Sequence, residues 1–99
     1  MKFIAVDQDI PGRDWDIFKA NIKDEIAKVW EFYQAGIVRE QYFMPEMPGA
    51  VYILECENLD EAKKIIGELP LVKIGWAKFD IHTLAPFTHF DMLFTQEQK

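Results

Sequence analysis

Between Asp14 and Gly36 the chain places Trp15, Phe18, Ile22, Ile26, Val29, Trp30 and Tyr33 in steps of three and four. That spacing predicts one long amphipathic helix from Trp15 to about Gln34, and every other element must arrange itself against it. Asp14 can accept from the orphan N–H groups of its first turn. Gly36 supplies the left-handed residue on which helices commonly end. Phe32 and Ile17 fall off the stripe and hint at a second contact surface on the same helix.

Around this helix the remaining segments alternate in character. Lys2 to Asp9 reads as a first strand closed by Ile10-Pro11-Gly12, and Ile37 to Met44 as a second. Pro45 and Pro48-Gly49 bracket a turn into a third strand, Ala50 to Glu57, close enough for an antiparallel hairpin. Asn58 followed by Glu61 resembles a capping box, opening a second helix that carries Ala62, Ile65, Ile66 and Leu69 and stops at Pro70. A fourth strand runs from about Trp76 to Leu84, ended by Pro86. The order is β-α-β-β-α-β, the ferredoxin-like α+β pattern with one antiparallel sheet and two helices on one face.

Ninety-nine residues allow one domain, 1–99, with a small core. The second sheet face therefore needs cover. The tail from Pro86 to Lys99, with Phe87, Phe90, Leu93 and Phe94 at helical spacing, suits a subunit interface in a homodimer or higher oligomer. The alternative is that the tail folds back onto its own sheet.

Composition narrows the function classes. Seventeen Asp and Glu against eleven Lys and Arg leave a net charge of −6, which argues against a phosphate-tracking nucleic-acid binder. The apolar run Phe3 to Val6 stops at Asp7, too short for a signal peptide or membrane span, so a cytoplasmic protein without membrane contact is expected. Cys56 alone can form no internal disulfide, and its acidic neighbours Glu55 and Glu57 disfavour a thiolate. His82 and His89 lack metal-ligand spacing, and no glycine-rich phosphate loop occurs, so neither metal nor nucleotide cofactor is expected.

Three stretches are similar to one known group: Trp30-Glu31-Phe32-Tyr33-Gln34-Ala35-Gly36 at the helix end, Pro48-Gly49-Ala50-Val51 entering the third strand, and Glu68-Leu69-Pro70-Leu71 before the last strand. With the element order, they resemble the dimeric α+β barrels, and within them the muconolactone isomerase-like proteins, relatives of the YciI-like proteins. The resemblance implies a barrel of two sheets paired across a dimer, with a small-molecule cavity in each subunit. It also implies cofactor-independent, isomerase-like proton transfer on a small organic acid, lactone or aromatic-derived compound. The competing expectation is a non-catalytic ligand-binding or assembly module of the same fold.

Proton transfer beside a carbonyl needs a base and a donor for the developing enolate oxygen. Lys78, Asp80 and His82 alternate along the fourth strand, making His82 and Asp80 the candidate acid–base pair, or else members of a salt-bridged surface row. Arg39 could hold a substrate carboxylate in bidentate fashion, or pair at an interface. Tyr42 and Tyr52 could donate to an oxyanion, or simply pack. Asp7 and Asp9 read as turn caps.

Overall fold

The computed structural model describes residues 1–95. Four strands form one antiparallel sheet in the order β2-β3-β1-β4, where β1 is Lys2–Asp7, β2 Val38–Met44, β3 Gly49–Glu55 and β4 Phe79–Leu84. Helix α1, Trp15–Gln34, and helix α2, Leu59–Gly67, supply the two crossovers, so the ferredoxin-like α+β expectation holds. One further turn of helix, α3 at Pro70–Lys73, follows α2. Proline at its first position needs no N–H partner there and starts the new turn.

The punctuation read from the sequence is present at the atomic level. Asp14 accepts from the Asp16 N–H, and Gly36 takes φ +77° just beyond α1. Asn58 accepts from the Glu61 N–H at 2.9 Å, while the Glu61 carboxylate accepts from the Glu57 N–H at 3.3 Å. Strand ends are shorter than expected. β1 stops at Asp7, and β4 starts at Phe79 because Trp76 and Ala77 are buried beside Leu71, whose carbonyl accepts from both their N–H groups.

Helix α1 departs from its expected orientation. Its inward residues are Phe18, Ile22, Glu25, Val29 and Phe32, and the fully buried members are Glu25 and Phe32. Ile26, Trp30 and Tyr33 are about half exposed and form an outer ridge, with the Trp30 and Tyr33 rings stacked at 5.5 Å. Two apolar ridges lie side by side on this helix, separated by one residue's rotation of about 100°. The ridge that meets the sheet is the one carrying a carboxylate.

On the sheet, Phe3, Ala5 and Asp7 of β1 and Tyr52 and Leu54 of β3 point toward the helices and are buried. Alternation then places Ile4, Val6, Val51 and Ile53 on the other face, where they are half-buried. The tail continues as a 3₁₀ turn at His89–Leu93. Phe87, Phe90, Met92, Leu93 and Phe94 are 64–82% exposed, so the described part of the tail does not fold back onto its own sheet. The radius of gyration, 16.9 Å, exceeds the roughly 13 Å of a compact domain of this length, as an outlying tail requires. The part of the expected interface segment from residue 96 on lies outside the described residues. No helix among the described residues is long and apolar enough to cross a membrane.

Candidate functional site

Because Asp7 closes the inward row Phe3-Ala5-Asp7, it meets the helix layer rather than solvent, and it is 5% exposed. The loop after β1 brings Arg13 back over it. One guanidinium nitrogen, Nη1, donates to both Asp7 carboxylate oxygens at 3.2 and 3.3 Å, and Nη2 donates to the Pro48 carbonyl at 3.2 Å. The guanidinium also lies 4.3 Å from the Trp76 ring centre. Arg13 thus clasps the β1–α1 loop, the β2–β3 turn and the segment before β4. Trp76 completes the clasp by donating from its indole N–H to the Asp14 carbonyl at 2.8 Å.

Under this clasp lies a cavity of about 240 Å³ between sheet and helices. Trp15, Phe18, Phe43, Tyr52, Trp76 and Phe79 supply its aromatic walls, and Asp7, Glu25 and Tyr52 its polar groups. A second recess between α1 and β2, about 340 Å³, shares Ile22, Glu25, Phe43, Ala50 and Tyr52 with it. Glu25 and Tyr52 therefore stand where the interior opens toward the edge strand.

Glu25 is 4% exposed, and one carboxylate oxygen accepts from the Leu71 N–H at 2.9 Å. That amide belongs to the first turn of α3, where no intrahelical acceptor is available. Burial pushes the Glu25 carboxyl above the ordinary carboxylate range. The Leu71 bond offsets part of this effect, and the nearby Asp7 charge adds to it. Burial also raises Asp7, against the lowering influence of Arg13 and of the Ala50 and Lys78 amides. Tyr52 is 6% exposed and is driven upward by burial first, then by the Glu25 and Asp7 charges. It stays a protonated donor throughout the physiological range. Every sealed side-chain nitrogen or oxygen among the described residues has a hydrogen-bond partner. Among the described residues the Tyr52 hydroxyl and the second Glu25 oxygen have none, and both residues line the cavity.

Gly49 sets how closely Asp7 and the β2–β3 turn approach. A Cβ there would lie 3.1 Å from both Asp7 Cβ and Oδ2 and 3.3 Å from Met44 Cε. Gly49→Ala is expected to destabilise the fold by about 1–3 kcal/mol through overpacking, measured as a lowered denaturant midpoint at unchanged slope.

Of the residues read from the sequence, Tyr52 is in the cavity. His82 and Asp80 pair with Ile4 and Val6 and share the opposite sheet face with them; Asp80 accepts from the Gln8 side chain at 2.8 Å. Lys78 precedes β4. Tyr42 pairs with Val51, and its hydroxyl donates to Glu40. Arg39 sits at a bulge in β2, where its Nε donates to the Gly36 carbonyl at 2.6 Å. Composition and motif single out neither Glu25 nor Arg13, and they read Asp7 as a turn cap, whereas it is buried and paired with Arg13. Their available signals were the inward spacing of α1 and the alternation of β1. No group of three or more His, Cys, Asp or Glu among the described residues is placed to hold a metal ion.

The order of elements and the sheet topology define a ferredoxin-like α+β fold, with a cavity between sheet and helices. A solved structure of the same fold is TftG, the 5-chloro-2-hydroxyhydroquinone dehydrochlorinase of Burkholderia phenoliruptrix AC1100, in complex with 2,5-dihydroxybenzoquinone. It superposes with a TM-score of 0.73 over 90% of this chain and 98% of its own, at 18% sequence identity. At that identity the likeness establishes fold. No family model and no curated protein sequence matches the chain.

Proposed function

We propose that the protein is a cofactor-independent proton-transfer enzyme acting on a small organic compound, with Glu25 as the acid–base group and Tyr52 as the oxyanion donor. The observation that carries this reading is a buried carboxylate and an unpartnered, buried phenol lining one aromatic cavity. A carboxyl that burial holds above its ordinary range is a stronger base than an exposed one and can return the proton it takes. Tyr52, kept protonated, can donate to the oxygen on which negative charge builds as a neighbouring carbon loses its proton. Asp7 and Arg13 hold the cavity end in place. TftG, a small-molecule enzyme of the same fold, makes catalysis the natural use of such a cavity.

The test is carbon-proton exchange into D₂O, followed by NMR on a panel of lactones, cyclic enols and enol acids with no cofactor added. The expected result is exchange well above buffer for at least one compound, slowed about 10²–10³-fold by Tyr52→Phe. Exchange at the buffer rate throughout the panel would favour the non-catalytic binding module.

The same reading includes a homodimer paired through the open sheet face, with the tail at the interface, acting in the cytoplasm. Half-buried Ile4, Val6, Val51 and Ile53 and the exposed aromatic tail support it, since this much apolar surface is costly to leave in water. Truncation after Pro86 should leave the circular dichroism spectrum intact and weaken association at least tenfold in sedimentation. An unchanged association constant would remove the tail from the interface.

A further inference from the structure

The charge inventory of the cavity narrows what can enter it. Among the described residues no Lys, Arg or His lines its wall. The nearby cation, Arg13, is engaged by both Asp7 oxygens, the Pro48 carbonyl and the Trp76 ring. Arg39, which a carboxylate-bearing substrate would have called on, donates to Gly36 at the other end of β2. A ligand carboxylate in this cavity would meet two protein carboxyls and no free cation, and its desolvation would go uncompensated. A neutral hydroxyl meets the opposite situation. The free Glu25 oxygen can accept from it, and the Tyr52 hydroxyl can donate to it.

Shape points the same way. A dry cavity of about 150 Å³ already holds benzene, and this one measures about 240 Å³. Trp15, Phe18 and Trp76 meet edge-on or tilted at centroid distances of 5.1–5.3 Å, and Tyr52 and Phe79 tilted at 5.6 Å, an aromatic lining that can offer both ring faces and ring edges to a planar guest.

We propose that the cavity takes an uncharged, hydroxyl-bearing planar ring, a phenol or cyclic enol, and turns away the carboxylated analogue of the same ring. The inference rests on the cavity being the ligand site and selects one of the compound classes left open above.

Three matched probes test it on the full chain: 4-methylphenol, 4-methylanisole and 4-hydroxybenzoate. Binding is followed by quenching of Trp15 and Trp76, which line the cavity, and confirmed by titration calorimetry. The phenol should bind saturably, its methyl ether about tenfold more weakly, and the benzoate at least about 100-fold more weakly at neutral pH. Glu25→Gln should narrow the gap between phenol and benzoate by lifting part of the charge repulsion. The proposal is overturned by a benzoate that binds as tightly as the phenol, by an ether that matches it, or by no saturable phenol binding up to its solubility. These measurements need no turnover. A protein that binds the phenol but exchanges no carbon-bound proton defeats the catalytic reading alone, and exchange on charged enol acids with phenol excluded defeats this one alone.

Discussion

Arg13→Met is expected to destabilise the protein by about 3–5 kcal/mol, the loss seen when one partner of a buried ion pair is removed. Asp7 and Arg13 have side chains only 6% and 5% exposed, so the orphaned Asp7 carboxylate would have no route to solvent. The substitution also releases the Pro48 carbonyl and the Trp76 ring, loosening three loops together. For a domain of this length the melting temperature should fall by upwards of about 12 °C. Because the pair is buried, the loss should persist at high salt, unlike that of a surface pair. Adding Asp7→Asn to Arg13→Met removes the stranded charge and should recover a large part of the stability. A single-variant loss below about 1 kcal/mol, or no recovery in the double variant, would show that the clasp is not what closes this end of the fold.

Glu25→Gln is expected to have two effects of opposite sign. Activity should fall about 10²–10⁴-fold, the usual contribution of a positioned acid–base group. Stability at neutral pH should rise. The Glu25 carboxyl titrates above its ordinary value in the native state, so there the folded chain binds its proton more tightly than the unfolded chain does. Its contribution is therefore most favourable below the unfolded pKa, declines as pH rises through the native pKa, and is constant above it. Each pH unit of elevation is worth about 1.4 kcal/mol at neutral pH. Glutamine keeps an oxygen for the Leu71 N–H and carries no charge, so the gain should appear in neutral solution and vanish in acid. Chemical denaturation at several pH values checks the sign. A residue that gives up stability in exchange for activity is the expected signature of a working site.

Much of this architecture was legible in the residues. Asp14, Gly36 and the Asn58–Glu61 pair mark helix ends because capping chemistry is local, and local chemistry survives folding. The element order survives for the same reason. The inward face of α1 was not legible from apolar content, because Ile26, Trp30 and Tyr33 outcompete a ridge that contains Glu25. Spacing alone does contain it: Phe18, Ile22, Glu25, Val29 and Phe32 step by four, three, four and three. A carboxylate in that row breaks the usual match between burial and hydrophobicity, and such breaks gather where a protein does chemistry. Asp7 is a parallel case. Phe3-Ala5-Asp7 is a regular alternation whose last member is charged, and the return of Arg13, with the Ala50 and Lys78 amides, makes its burial tolerable. Tyr52 and Tyr42 read alike as possible donors or packing residues, and the alternation of β3 is what turns Tyr52 inward. His82 and Asp80 attracted attention because of their residue types. Their strand register, opposite Ile4 and Val6, sets them on the open face of the sheet.

The pH dependence of carbon-proton exchange, compared between the wild-type protein, Glu25→Gln and His82→Ala, tests the central claim most directly. If the interior carboxyl does the work, His82→Ala retains the wild-type rate and profile, while Glu25→Gln loses at least about 100-fold and the acid limb of the profile with it. A His82→Ala variant that is inactive beside a fully active Glu25→Gln would move the chemistry to the open face of the sheet and contradict the account.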